Sequence, residues 1–121
     1  MADLRIKICG ITNLADARVA VEAGTHYLGF IFYASSPRYV QVETVRHITD
    51  VIRADYKDKA PFMVGVFVNE AGATITDKML HAGLDLAQLS GDESPELLKT
   101  FNGRAYKTIR PRNLKEAELD V

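Results

Sequence analysis

The sequence predicts an α/β fold of parallel strands. Short apolar or alternating runs begin near residues 5, 27, 62, 84 and 105, and each is followed by a helical pattern with its own start and stop signals. A strict strand-then-helix order implies βαβ units with right-handed crossovers. Two architectures accommodate it, an open doubly wound sheet and part of an eight-stranded barrel, and periodicity alone does not choose between them.

The first run, Arg5-Ile6-Lys7-Ile8-Cys9, alternates polar and apolar residues and ends at Gly10. Asn13 can cap the helix that follows, with Asp16 three residues on; Leu14, Ala17 and Val21 share one face, and Gly24 supplies the stop. Tyr27 to Phe32 is almost continuously apolar, as suits a strand covered on both faces. Tyr33 to Gln41, punctuated by Ser35, Ser36 and Pro37, reads as loop. Val45, Ile48 and Ile52 mark the second helix, and Lys57 to Ala60 lead into a strand at Phe62 to Val68. Asn69 is expected to cap a third helix whose apolar face is Ile75, Met79 and Ala82, with Gly83 ending it.

Leu84 to Leu89 form the fourth strand. Ser94-Pro95-Glu96 is a helix start, a capping serine followed by proline at the first helical position. Leu97, Leu98 and Phe101 give that helix its apolar side, and Asn102-Gly103 closes it. Ala105 to Ile109 read as a fifth strand, and Asn113 with Glu116 opens a last helix.

Composition narrows the function. The 121 residues are 47% hydrophobic and 26% charged, and the net charge is -1. That balance argues against nucleic acid or an anionic membrane as partner. The N-terminus lacks a signal-peptide pattern, and no apolar run approaches the roughly 20 residues of a membrane span. One cysteine permits no intrachain disulfide, so the expected setting is a reducing, cytoplasmic one.

In both candidate folds chemistry sits at the C-terminal ends of the strands. Cys9 ends the first strand close to a helix N-terminus, a place that favours thiolate and suits a base or nucleophile. A lone strand cysteine is also a small buried hydrophobe, and spacing alone favours that reading. Arg38, in Ser35-Ser36-Pro37-Arg38-Tyr39, offers a rigid fork for carboxylate or phosphate, or is simply a solvated arginine. Asp92 and Glu93 read as helix-start acids rather than acid-base groups. His26, His47 and His81 lack metal-ligand spacing. Neither GxGxxG nor a P-loop is present, so the nucleotide readings fail.

Six fragments then occur together in order: Lys7-Ile8-Cys9-Gly10-Ile11-Thr12, Ala23-Gly24, Leu28-Gly29-Phe30-Ile31-Phe32, Ser36-Pro37-Arg38-Tyr39-Val40, Val64-Gly65-Val66-Phe67-Val68-Asn69, and Gln88-Leu89-Ser90-Gly91-Asp92-Glu93. In order and spacing the chain resembles the phosphoribosylanthranilate isomerase family from about Arg5 onward. The resemblance implies a parallel (β/α) TIM-barrel type, incomplete, with about five βα units of eight, and residues 1–121 as a single partial domain. It implies an isomerase of tryptophan biosynthesis that works without a cofactor on a small sugar-phosphate substrate, N-(5-phosphoribosyl)anthranilate, by an Amadori rearrangement.

By the same resemblance Cys9 matches the general base, Arg38 the arginine that holds the anthranilate carboxylate, and Gln88 a residue lining the pocket. Ser90 stands where the family usually has histidine, so one substrate-binding contact is altered. The resemblance also places the general acid, an aspartate ending the sixth strand, beyond Val121, together with the phosphate-binding loops. A polypeptide of these residues is therefore expected to be inactive alone, and to self-associate or be completed by a missing C-terminal segment. The alternative reading is a non-catalytic half-barrel that pairs with another polypeptide. A flavodoxin-like open sheet, with strand order 2-1-3-4-5, is the third.

Overall fold

Five parallel strands lie side by side in chain order, each hydrogen-bonded to the next. The computed structural model describes residues 5–108. They form β1 (Lys7–Cys9), α1 (Leu14–Glu22), β2 (Tyr27–Ile31), α2 (Val42–Tyr56), β3 (Phe62–Phe67), α3 (Gly72–Ala82), β4 (Leu86–Leu89), α4 (Pro95–Lys99) and β5 (Ala105–Lys107). The predicted connection after α2 is a 3-10 turn, Lys57–Lys59. Ile109 and the Asn113–Glu116 helix start lie outside the described residues.

Sequential order decides the architecture. Every crossover advances one strand in the same direction, so right-handed connections place all helices on one face. A doubly wound sheet reverses direction and covers both faces. The flavodoxin-like order is thereby excluded, and the fold is the α/β barrel type with its sheet open.

Alternation along the strands sorts side chains between two faces. Leu28, Phe30, Met63, Phe67, Ala87 and Leu89 join one buried cluster with Ala17, Val21, Val45, Ile48, Ile52, Ile75, Met79 and Ala82 of the helices. Phe32 and Phe67 stack within it, ring centres 5.4 Å apart. The residues between them, Lys7, Cys9, Gly29, Val64, Val66, Gln88 and Tyr106, occupy the face that such a barrel turns inward.

Local signals explain most element ends. The Asn13 side chain accepts from the Asp16 N–H at 2.8 Å, and Ser94 Oγ accepts from the Leu97 N–H at 3.2 Å. Gly83 ends α3 at φ 75°, a conformation glycine adopts without strain. Asn69 corrects the sequence expectation. Helix α3 starts from Ala71 with no side-chain cap, and Asn69 sits in a left-handed turn at φ 53°. Its carboxamide oxygen instead accepts from the Asp92 N–H at 2.7 Å, tying the β3–α3 loop to the β4–α4 loop. A residue type favoured at caps equally satisfies turns, and neighbouring loops decided between them.

Thr49 is buried on α2 and donates to the carbonyl of Ala82 on α3, 2.9 Å away. Thr49→Val leaves that carbonyl without this donor at similar volume. The expected loss is about 1–2 kcal/mol, read as a lower urea midpoint with an unchanged slope.

Candidate functional site

The turn after β1 is built around two backbone donors. The N–H groups of Gly10 and Ile11 both reach the carbonyl of Gly29, each at 3.0 Å. Gly10 has φ 90°, and a β-carbon there would lie 2.4 Å from Arg38 Nη1. The missing side chain lets the guanidinium lie flat on the turn, where Nη1 donates to the Cys9 carbonyl at 3.1 Å. The loop carrying Arg38 is held from below. Its N–H donates to Ser36 Oγ at 3.1 Å, and the Val40 N–H donates to Ile31 O at 3.0 Å. Arg38 itself is exposed, with its fork at the mouth of β1.

Cys9 is half-buried on the inner face. A β-carbon on Gly29 would lie 2.9 Å from Cys9 Sγ and 3.2 Å from Lys7 Cε. The glycine thus opens the space that the thiol and the lysine stem share. Gly29→Ala should displace the sulfur and press on β1 itself, since the added β-carbon would also lie 3.1 Å from the Cys9 Cα.

Gln88 and Ser90 sit across the same face, both buried. Gln88 Oε1 accepts from Lys7 Nζ and, at 2.8 Å, from Tyr106 OH; Nε2 then donates to Ser90 Oγ at 3.1 Å. Lysine carries donors only, so this pattern fixes which way the Gln88 amide points. Thr108 Oγ1 lies 3.0 Å from Ser90 Oγ and extends the chain of hydrogen bonds to the last described residue. Burial pushes the Lys7 ammonium below its ordinary value, and the negative charge of an ionised Cys9 opposes that shift. Burial raises the Tyr106 phenol, with the charges of Cys9 and Tyr27 adding to the effect.

Glu93 departs from the helix-start expectation. Its side chain is 1% exposed. Oε2 accepts from the Asn69 N–H and Oε1 from the Gly91 N–H, both at 2.8 Å, and Lys107 Nζ lies 3.1 Å from Oε1. One carboxylate therefore fastens the ends of β3, β4 and β5 together. Burial pushes the Glu93 carboxyl up, but the donors from Asn69, its own N–H, Lys107 and Gly91 outweigh this and hold it below the usual value.

Sequence reasoning placed Cys9, Arg38, Gln88 and Ser90 at strand ends, and the structure brings all four to one end of the sheet. Arg38 bonds the backbone of Cys9, while Lys7 joins the Cys9 side of the face to the Gln88–Ser90 pair. Lys7 was missed although it lies two residues before Cys9 on an alternating strand and so shares its face. Tyr106 was missed because its place opposite Gln88 depends on strand register. A cavity of about 480 Å³ touches Cys9 and Arg38 but runs along α1, bounded by Ile8, Asp16, Val19, Ala20 and Ala23, and so lies toward the helix side of β1.

Fold and site together define a (β/α)-barrel protein of the kind that carries its chemistry at the C-terminal ends of parallel strands. Residues 6–119 match the family model described as N-(5'-phosphoribosyl)anthranilate (PRA) isomerase, and the chain belongs to that family. Among curated relatives, it is 46% identical over 101 residues to the N-(5'-phosphoribosyl)anthranilate isomerase of Thermotoga neapolitana, covering 82% of this chain and 46% of that one. The crystal structure of phosphoribosyl anthranilate isomerase from Thermotoga maritima superposes with a TM-score of 0.85 at 38% identity, over 98% of this chain and 56% of that chain. A further isomerase structure, in complex with reduced 1-(o-carboxyphenylamino)-1-deoxyribulose 5-phosphate, gives a TM-score of 0.85 at 38% identity, over 98% of this chain and 59% of that chain. The chain thus spans about half the length of the relatives it matches. Among the described residues no helix is long and apolar enough to cross a membrane.

Proposed function

We propose that this chain supplies the β1–β5 side of the active site of an N-(5'-phosphoribosyl)anthranilate isomerase, with residues 1–121 forming one domain-level unit. The observation that carries the reading is the meeting of Cys9 and Arg38 at the mouth of β1, joined by the 3.1 Å hydrogen bond to the Cys9 carbonyl. Cys9 takes the proton from C2 of the sugar as the ring opens. Arg38, with a planar fork matched to a carboxylate, holds the anthranilate end. Gln88 and Ser90 line the pocket between them, and Ser90 offers a small hydroxyl there. The reaction is an internal redistribution of hydrogen and needs no cofactor. A biosynthetic role of this kind fits a cytoplasmic protein.

Ring opening also needs a proton delivered to the ring oxygen, and barrels of this type often bind phosphate through loops after strands seven and eight. The five described strands do not provide these. The reading is tested with two polypeptides, the 121 residues alone and the same residues joined to the strand–helix units that follow in the Thermotoga maritima enzyme. Loss of substrate fluorescence is expected only with the joined form. Absence of turnover in a folded, joined barrel would end the isomerase reading, and brisk turnover by the short polypeptide would end the division of labour. In the joined barrel Gly29→Ala is expected to lower kcat on the order of tenfold by shifting the sulfur. An unchanged kcat would show that the thiol's position is not critical.

A further inference from the structure

We infer that Lys7 is a positioning residue for Cys9, supplying the positive charge beside the sulfur when the thiol gives up its proton. This rests on the reading of Cys9 as the base and assigns Lys7 a role in it. Lys7 Cε and Cys9 Sγ crowd the same missing β-carbon of Gly29, at 3.2 and 2.9 Å. Lys7 points along the inner face rather than out to solvent: Nζ donates to Gln88 Oε1 and lies 6.0 Å from the centre of the Tyr106 ring.

A half-buried ammonium ordinarily faces a carboxylate. Yet none of the inward positions of the five strands, from Lys7 and Cys9 through Tyr27, Val64 and Gln88 to Tyr106, is acidic. The neutral Gln88 oxygen accepts from one of the three Lys7 donors.

The other groups around Cys9 do not fill the role. Arg38, on the β2–α2 loop, turns Nη1 to the Cys9 carbonyl oxygen. Asp16, on α1, borders the same cavity but is held by Asn13 Nδ2 at 3.0 Å, and its charge opposes a thiolate. Tyr27 on β2 and Tyr106 on β5 bring phenol hydroxyls and no cation. Arg5 lies on the same face and its Nη1 donates to Tyr27 OH at 3.4 Å; Lys7 is the cation whose stem shares with the sulfur the space opened at Gly29.

Cys9 is the sole cysteine of the chain, so alkylation reports on it without ambiguity. The test measures the rate of iodoacetamide labelling of the 121-residue protein between about pH 6 and 9, since only the thiolate reacts. At pH 7, Lys7→Met is expected to slow labelling by about three- to tenfold and to move the rate curve toward higher pH, as loss of a nearby opposite charge requires. Lys7→Arg should keep the rate within about twofold. Circular dichroism and the thermal midpoint establish that each variant is folded, and Lys7→Gln replaces Lys7→Met if the latter does not fold.

A labelling curve unchanged in the neutral variants overturns the inference, as does an arginine variant as slow as the methionine one. Neither result touches the isomerase reading, which stands or falls on turnover in the joined barrel.

Discussion

Alanine at Cys9 is expected to reduce kcat of the joined barrel by about 10²–10⁴-fold, the usual worth of a positioned acid–base group. KM should change little, because the thiol acts on a hydrogen in the transition state and adds little to binding the ground state. Arg38→Met is expected to behave in the opposite way, raising KM with a smaller effect on kcat, since the guanidinium grips a group remote from the reacting carbon. The contrast matters more than either number. A base and a binding group tied together by a 3.1 Å hydrogen bond from the guanidinium to the backbone carbonyl of Cys9 should separate cleanly in steady-state kinetics, whereas a general disturbance of the β1 turn would degrade both constants in both variants. Far-UV circular dichroism of the two variants provides the control.

Glu93→Ala is expected to produce the largest stability loss of any single polar substitution in the described fold. The side chain is nearly inaccessible and satisfies two backbone N–H groups in separate loops, which the variant leaves without their acceptor. Lost hydrogen bonds to a charged group contribute about 2–4 kcal/mol here, discounted because Lys107 is partly solvated. For a domain of this size that corresponds to a fall in Tm on the order of 10–20 °C. Glutamine is not a rescue. The two N–H donors approach different carboxylate oxygens, and an amide would turn its own NH2 toward one of them.

The pH dependence follows from the same contacts. The folded protein holds the Glu93 carboxyl below its ordinary value, so the folded state binds this proton less readily than the unfolded state. The stabilisation is fully present above the unfolded value of about 4.3 and disappears as pH falls through the depressed folded value. Urea midpoints measured from pH 7 down to 3 should therefore fall more steeply for the natural sequence than for Glu93→Ala. Parallel curves would show that Glu93 is not the group responsible.

Much of this was legible before any coordinates. The strand at Tyr27, the stop at Gly83 and the Ser94–Pro95 start depend on neighbours in sequence, and each formed as read. The choice of barrel over doubly wound sheet did not come from periodicity. It came from six recognisable fragments, and the sequential strand order bears it out. What sequence did not reveal is held by contacts between distant segments. Asn69 and Glu93 were both assigned to helix starts because their types favour that place. Their partners lie 23 and 24 residues away on another loop, and those contacts decided their roles. Lys7 looked like an ordinary polar position of an alternating strand until Gln88, 81 residues on, was seen to accept a hydrogen bond from it.

The most direct test of the central claim, that Cys9 and Arg38 face one ligand, is protection from alkylation. The joined barrel is treated with iodoacetamide with and without reduced 1-(o-carboxyphenylamino)-1-deoxyribulose 5-phosphate, and the label on Cys9 is followed by mass spectrometry. The account predicts that the analogue shields Cys9 in the natural sequence, and that Arg38→Met requires far more analogue for the same shielding. Labelling of Cys9 at an undiminished rate under saturating analogue would contradict it.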